Sequence, residues 1–403
     1  MSPGPDDPDN MAVMTYDVAA VRKEFPALVE GPSAGLARFD GPGGSLTPAS
    51  VADAVATAMR SGLCQRGSLT APDRLADEIT LGARAAMARF TGLGDPRGIV
   101  FGRSMTAITM DVARILAREW GPGDEIVLTR LDHDGDVRPW VIAAERAGAT
   151  VRWLGFDTTT CELDDIAPLL SERTRLVAVT AASNLLGTRP DLPAISAAAH
   201  AVDALMYVDA VHLAPHAPLD FHGFGADFLV CSPYKFFGPH LGVLASTPER
   251  LESMHPDKLL PSTNVVPERF ELGTLPYELL AGVRAAVEVA ESLGMSAVES
   301  HERALMARLL EGLGALERVT VHGRPARRTP TALLTFDGID AHEVSASLAE
   351  RGVVAPADNF YALEASRHLG LGDEGGMRVG LSAYTDETDV DRLLVALGDA
   401  LSR

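Results

Sequence analysis

Asp227-Phe-Leu-Val-Cys-Ser-Pro-Tyr-Lys-Phe-Phe-Gly-Pro-His240 contains Lys235, one of only three lysines in a 403-residue chain with 32 arginines. Residues 228–231 form a short, continuous apolar run, which is typical of a strand buried on both faces. Lys235 therefore follows the end of a predicted strand. Arginine stays protonated and cannot form an imine, whereas a lysine removed from water loses its proton and attacks carbonyl groups. The run predicts a lysine used for covalent chemistry.

The other two lysines have ordinary surroundings. Lys23 lies in a mixed polar stretch, and Lys258 follows His-Pro-Asp in a loop-like segment. Pyridoxal 5′-phosphate (PLP) is the common partner of a Schiff-base lysine. Lys235 therefore predicts a PLP site.

Composition limits the classes of partner. The formal charge of −20 argues against nucleic acid or an anionic membrane. The three cysteines are far apart and lack CxxC spacing, so we expect neither disulfides nor a zinc site. The expected location is therefore the reducing cytoplasm. Residues 1–15 are acidic and proline-rich at the start, which predicts a disordered tail rather than a signal peptide.

Short apolar segments alternate with amphipathic ones from about residue 75 to 250. This βαβ repetition predicts an α/β fold with a doubly wound, mostly parallel sheet that binds ligands at the strand C-termini. Helices are predicted at 104–119, 137–147, 276–293, 297–313 and 387–401. The predicted strands are 98–101, 125–128, 150–154, 176–180, 205–209, 228–231, 332–336 and 377–381.

The length suits a large domain plus a smaller one. We predict a large cofactor-binding α/β domain at residues 71–290 and a smaller C-terminal α+β domain at 291–403. Residues 16–70 are predicted to pack partly with the smaller domain.

Polar residues follow several of the predicted strands. Asp209 ends one strand, where a carboxylate could pair with a pyridine nitrogen, and His212 is three residues further on. Either could instead be structural, as a turn cap or a lone buried histidine. His133 follows another strand, where it could stack on a cofactor ring or be an ordinary loop histidine.

A phosphate site is predicted where a strand is followed by a helix start. Ser104, Met105 and Thr106 would offer first-turn N–H groups and hydroxyls, assisted by the helix dipole. Ser or Thr before a helix is also a common N-cap. Ser232 and Tyr234 add hydroxyl groups beside Lys235.

Taken together, these segments resemble the class V aminotransferase family of fold-type I PLP enzymes, and most closely its cysteine desulfurase-like branch. The resemblance extends from about Tyr16 to Leu401. It is carried by Phe39-Asp-Gly-Pro-Gly-Gly44, Phe101-Gly-Arg-Ser-Met-Thr106, Leu131-Asp-His133, Ser183-Asn184, Val208-Asp-Ala-Val-His212, Ser232-Pro-Tyr-Lys-Phe-Phe-Gly-Pro-His240, Phe270-Glu-Leu-Gly-Thr274 and Met377-Arg-Val-Gly380.

The resemblance implies a role for each matching residue. Lys235 would be the imine lysine, Asp209 the partner of the pyridine nitrogen, and His133 the stacking ring. His212 would contact the cofactor O3′. Thr106 and Ser232 would be phosphate ligands, and Tyr234 stands in the position where desulfurases usually carry a histidine.

The resemblance also implies a binding site for an amino-acid substrate. Arg378 would clamp its α-carboxylate, a task suited to a planar bidentate donor. Asn184 would lie near O3′ and that carboxylate, and Tyr361 would border the substrate. Thr274 would reach the partner subunit's phosphate, which predicts a homodimer with a shared active site.

The chain departs from desulfurases that relay sulfur as a persulfide. These need a cysteine on a loop shortly before the Arg378 strand, but no cysteine follows Cys231. Cys231 is predicted to be buried in a strand, and Cys64 is the only plausible exposed thiol. We therefore expect no persulfide relay on the chain's own thiol.

Three functions remain open at this point. The first is a PLP-dependent lyase that cleaves a C–S bond of cysteine or an S-substituted cysteine. The second is an aminotransferase, epimerase, or oxidative or decarboxylative deaminase of specialised metabolism. The third is a non-catalytic homologue, against which the completeness of the residue set argues.

Overall fold

The structure is a computed structural model that describes residues 16–402, so the predicted tail at 1–15 lies outside the described residues. The strands are β1 (Ala37–Arg38), β2 (Ile99–Gly102), β3 (Glu125–Thr129), β4 (Thr150–Leu154), β5 (Thr174–Thr180), β6 (Leu205–Asp209), β7 (Phe228–Cys231), β8 (Gly242–Ser246), β9 (Val319–His322), β10 (Thr331–Phe336), β11 (Val353–Val354), β12 (Ala357–Asp358) and β13 (Gly376–Gly380).

The α-helices alternate with these strands in the first two thirds of the chain. They are α1 (Val18–Lys23), α2 (Ala49–Arg60), α3 (Ala71–Phe90), α4 (Met105–Leu116), α5 (Asp134–Ala147), α6 (Leu192–His200), α7 (Pro248–Ser253), α8 (Tyr277–Leu293), α9 (Met295–Gly314), α10 (Ala341–Ala349), α11 (Leu363–His368) and α12 (Glu387–Leu401). No helix within residues 16–402 is both long and apolar enough to cross a membrane.

Seven strands form the large sheet in the order β2-β8-β7-β6-β5-β3-β4. All run parallel except β8, which is antiparallel to both of its neighbours. The mostly parallel sheet is therefore confirmed, but β8 is missing from the sequence prediction. Its connection from β7, residues 232–241, is too short for the crossover helix that a parallel strand needs. Because β8 is reversed, the C-terminal end of β2 lies at the same edge as those of its parallel partners.

The small sheet has the order β12-β13-β10-β9 and is antiparallel throughout. Leu334, Val379 and other apolar side chains pack beneath α9, α10 and α12 in a core of their own. This layer positions β13, which carries Arg378, opposite the C-terminal edge of the large sheet.

The N-terminal segment contributes to both layers. Phe39 is buried in the small-domain core, where β1 pairs with β11. Phe25 and Val51 are buried in the core of the large domain, and α2 packs on α8. The domain boundaries given above stay predictions, and the one at residue 290 falls near the end of α8.

Candidate active site

A cavity of about 600 Å³ lies between the C-terminal edge of the large sheet and the small domain. It brings together residues that are up to 336 positions apart in the sequence, from Pro42 to Arg378. The predicted site residues that line it are Ser104, Met105, Thr106, His133, Asn184, Asp209, His212, Ser232, Tyr234, Lys235, Tyr361 and Arg378. Thr274 does not line this cavity.

Lys235 is in a short 3₁₀ turn that begins directly after β7. Its Nζ donates to the backbone oxygens of Pro42 at 2.5 Å and Gly43 at 3.1 Å. Burial, and to a smaller extent the charge of Arg378, lower the pKa of Lys235 to about 7, while the charge of Asp209 opposes both effects. A substantial fraction of this amine is therefore uncharged, and nucleophilic, at neutral pH.

Asp209 ends β6, the strand next to β7, and is 2% exposed. Its Oδ1 accepts a hydrogen bond from the backbone N–H of Val211 at 2.8 Å. Burial raises the pKa of Asp209, while this hydrogen bond and the charge of Lys235 oppose the rise. A cationic or N–H partner from the cavity would restore the ionised form of this carboxyl group.

His133 is the N-cap of α5, and its Nδ1 accepts from the N–H of Gly135 at 2.9 Å. Because Nδ1 is an acceptor, the ring proton resides on Nε2. Burial lowers the pKa of His133 to about 4, with a smaller contribution from Lys235. The ring is therefore neutral at pH 7, which suits stacking rather than ion pairing.

His212 is buried, and burial lowers its pKa well below the ordinary value. Its Nε2 lies 3.1 Å from Oγ1 of Thr331 and 3.2 Å from Oγ1 of Thr329. Its Nδ1 has no hydrogen-bond partner within residues 16–402. The neutral ring thus keeps one nitrogen free beside the cavity.

The predicted phosphate turn joins β2 to α4. Ser104 is the N-cap of α4, and its Oγ accepts from the N–H of Ala107 at 3.1 Å. Strand β8 passes against this turn at Gly242, where a Cβ atom would lie 2.2 Å from the carbonyl carbon of Ser104. Gly242 therefore allows the close approach that holds the start of α4 at the cavity.

Arg378 is 4% exposed on β13 and takes part in no ion pair within the described chain. Its Cζ lies 3.8 Å from the ring centroid of Phe360, and Nη1 donates to the backbone oxygen of Asn184 at 3.0 Å. Burial lowers the pKa of Arg378 to about 9, against the charges of Asp40 and Asp358. The guanidinium group is thus held in place without a paired carboxylate.

Phe360 and Tyr361 lie on the small-domain wall in left-handed conformations, with φ values of 54° and 60°. This left-handed backbone conformation is unfavourable for residues other than glycine. The backbone oxygen of Phe360 accepts from Nδ2 of Asn184 at 2.9 Å, and that of Tyr361 accepts from the N–H of Asp134 at 2.6 Å. Tyr361 as a whole residue is 70% exposed, and its ring stacks on His133 with 5.4 Å between ring centroids.

Thr274 lies in an exposed segment beside a second cavity, which includes Gly102 and Arg103. The segment is anchored by Glu271, whose carboxylate accepts from Arg84 at 2.7 and 2.8 Å and from the N–H of Phe101 at 2.9 Å. The contribution of Thr274 to a partner subunit stays a prediction.

Sequence reasoning missed several residues of the cavity wall. Pro42 and Gly43 supply the carbonyl groups that meet Lys235, Val211 borders the cavity beside Asp209, and Asp358 adds a carboxylate near Arg378. The sequence signal for Pro42 and Gly43 was the run Phe39-Asp-Gly-Pro-Gly-Gly44. This run contributed to the family resemblance, but no role was assigned to its residues.

The buried polar atoms that lack partners allow a test of whether PLP fits this cavity. Nδ1 of His212, Oδ1 of Asn184 and Nε of Arg378 have no hydrogen-bond partner within residues 16–402. Buried polar groups are seldom left unpaired in folded proteins. These atoms surround an amine with a lowered pKa and a buried carboxyl group, the donor set that a pyridine aldehyde requires. The residues present therefore fit PLP.

The comparisons with known proteins agree with this donor set. The family model for aminotransferase class-V matches residues 38–393. A probable cysteine desulfurase of Mycobacterium leprae is 32% identical, over 97% of this chain and 98% of that protein. An aminotransferase-like protein of Gibberella zeae is 31% identical, over 96% of this chain and 99% of its own length.

A solved structure shares the fold as well. The cysteine desulfurase of Thermococcus onnurineus superposes with a TM-score of 0.89 at 26% identity, covering 95% of this chain and 98% of that one. The chain belongs to the class-V aminotransferase family. It is a fold-type I, PLP-dependent enzyme, so the hypothesis of a non-catalytic homologue is not retained.

Proposed function

We propose that the enzyme cleaves the C–S bond of cysteine or an S-substituted cysteine without passing sulfur to a cysteine of its own. The relatives named as desulfurases support chemistry on a sulfur-containing amino acid. The cavity wall supports the second part of the proposal, because Asp358, Phe360 and Tyr361, which line it, carry a carboxyl group and two aromatic rings and no thiol.

The position of the thiols is the observation that carries the proposal. Cys231 is buried in β7 and Cys161 is also buried, and burial raises the pKa of each thiol, so neither is a ready nucleophile. Cys64 is exposed in the segment after α2. None of the three lines the cavity. The thiol or sulfide product would therefore leave directly.

Each residue has a defined task in this proposal. Bound PLP supplies an electron sink at the substrate Cα. Lys235 provides the amine that holds the cofactor and then moves a proton at Cα. Asp209 keeps the pyridine nitrogen protonated, and Arg378 holds the substrate carboxylate. His133 covers the ring in its neutral form.

The remaining assignments complete the site. His212 and Asn184 would contact O3′, and Tyr361 would border the substrate side chain. The phosphate would be bound by the turn at residues 104–106, by Ser232 and Tyr234, and by Thr274 from a second copy of the chain. The active unit is then a homodimer, and the free cysteines support a cytoplasmic location.

Product analysis tests this function. Purified enzyme with PLP is incubated with cysteine, S-alkyl cysteines and common amino acids, and both the keto acid and the thiol or sulfide are quantified. Equal amounts of pyruvate and thiol, unchanged in Cys64→Ser, are expected. Loss of activity in Cys64→Ser, or a keto acid formed without thiol, would contradict the proposal.

The second candidate is a reaction at the amino group, such as transamination, epimerisation, or oxidative or decarboxylative deamination. The aromatic wall favours it, because Phe360 and Tyr361 suit a substrate side chain larger than that of cysteine. Conversion of the cofactor to its pyridoxamine form by an amino donor, with no thiol product, would select the transaminase.

A further inference from the structure

Two carboxyl groups beside Asp209 have no task in the reaction outlined above. Asp132 is 2% exposed in the short connection between β3 and α5, and Asp136 is 1% exposed in the first turn of α5. Asp209 is similarly buried. Three carboxyl groups that are buried close together need bound protons or cations to be stable.

The hydrogen bonds to this pair are incomplete. Oδ2 of Asp132 accepts from Oγ1 of Thr129, and Oδ1 of Asp136 accepts from Nε1 of Trp140 at 3.1 Å. Oδ1 of Asp132 and Oδ2 of Asp136 have no donor within residues 16–402. The two side chains lie within hydrogen-bonding reach of each other. A proton on one carboxyl group would pair the two oxygens that lack a donor.

No cation compensates this pair. Neither Asp132 nor Asp136 has an ion-pair partner among the described residues, and Lys235 acts on Asp209 rather than on them. No group of three or more His, Cys, Asp or Glu side chains in residues 16–402 is arranged to hold a metal ion. The N-terminus of α5 favours negative charge near Asp136, but a helix end carries only a partial charge.

The remaining titratable neighbours add no positive charge. The phenol of Tyr207 on β6 bonds to Oγ1 of Thr109 on α4 at 2.8 Å, and its pKa is raised by burial and by Asp136. His133, between the two acids in sequence, is neutral. Burial raises the pKa of Asp132 to about 8, and burial together with Asp132 and Asp209 raises that of Asp136.

We propose that Asp132 and Asp136 share a bound proton at neutral pH and act as positioning residues that control the charge behind Asp209. This inference rests on the role proposed for Asp209 as the partner of the pyridine nitrogen. While the proton is held, the pair carries one negative charge instead of two, so Asp209 faces less repulsion from it. When the proton is lost in alkaline solution, the added negative charge strengthens proton binding at Asp209 and at the pyridine nitrogen opposite it.

The first test measures the proton itself in cofactor-free protein by infrared spectroscopy. A protonated-carboxyl band is expected at pH 7 and should be lost in the isosteric double variant Asp132→Asn/Asp136→Asn. It should persist in Asp111→Asn, a control that removes one exposed acid from α4. Absence of the band in the unmodified protein, or its persistence in the double variant, would overturn the proposal.

The second test measures the effect on the cofactor. The absorbance of the PLP-loaded protein is followed against pH, and the transition of the pyridine nitrogen is fitted. Because neutral asparagines cannot supply negative charge, the double variant should shift this apparent pKa downward by about one unit. Asp132→Asn alone should shift it in the same direction and serves if the double variant does not fold. An unshifted transition in a folded variant would overturn the positioning role.

The two proposals fail in different ways. If Asp209→Asn leaves the cofactor spectrum and the activity unchanged, the role of Asp209 is wrong, while the infrared band still reports the shared proton. If Asp209→Asn abolishes activity and the Asp132 and Asp136 variants shift nothing, only the pair's function is refuted.

Discussion

The two walls of the cavity are built on different principles. The large-domain wall is formed by strand ends and first helical turns, so Lys235, Asp209 and His133 each follow a parallel strand of one sheet. The small-domain wall consists of Arg378 on an antiparallel strand and of Phe360 and Tyr361 in left-handed backbone. One wall is regular and the other is locally strained.

This difference separates chemistry from selectivity. The regular wall holds groups whose pKa values burial has shifted, and in our proposal these groups bind the cofactor and move protons. The strained wall holds the proposed carboxylate clamp, Arg378, under an aromatic ring, and we expect it to determine which substrates fit. Changes in the first wall should therefore abolish the reaction, while changes in the second should alter affinity and substrate range.

The largest effect is expected for Lys235→Ala. The variant should lose the absorbance of lysine-bound PLP and at least about 1,000-fold in kcat, because it lacks both the amine and the proton carrier. Absorbance spectroscopy and steady-state kinetics check this. Lys258→Ala, which removes a lysine outside the cavity, is the control, and equal losses in both variants would refute the assignment.

Arg378→Lys should raise KM by about 10- to 100-fold with a smaller effect on kcat, since lysine keeps the charge but loses bidentate geometry. Steady-state kinetics with the substrate identified by product analysis measures this. Arg392→Lys, in the same domain but bonded to backbone oxygens of Gly35 and Gly352, should stay close to the parent enzyme. A fall in kcat alone would argue against a carboxylate clamp.

The capture of PLP by cofactor-free protein should depend on pH through Lys235. The pKa of this amine is lowered to about 7, so the attacking uncharged form is scarce below that value and predominates above it. The capture rate should rise about tenfold per pH unit below pH 7 and level off above it. Stopped-flow absorbance follows the reaction, and a rate that is flat between pH 6 and 8 would contradict the lowered pKa.

The smallest effect concerns stability at Phe360. Phe360→Gly should be more stable than Phe360→Ala by about 1 kcal/mol, because glycine adopts positive φ without steric cost. Chemical denaturation of the two variants measures the difference. Ala349→Gly in α10 is the matched control and should lose stability by about 1 kcal/mol. A Phe360→Ala variant as stable as Phe360→Gly would show that the backbone relaxes.

Much of the large-domain wall could be predicted from sequence because strand ends are local signals. A run such as Leu205-Met-Tyr-Val-Asp209 indicates a buried strand and places its last polar side chain at the ligand-binding edge. Strand β8 escaped prediction because no helix precedes it. The carbonyl groups of Pro42 and Gly43 were missed because they belong to no regular element.

By itself, the sequence determined the α/β class, the parallel sheet, the lysine suited to covalent chemistry and the family, since these depend on periodicity and on residue types in order. The tertiary structure alone decided which atoms meet Lys235, how Phe360 covers Arg378, and that Asp132 and Asp136 lie together behind Asp209. Those contacts join distant segments, and the burial that shifts the pKa values exists only once both domains have packed.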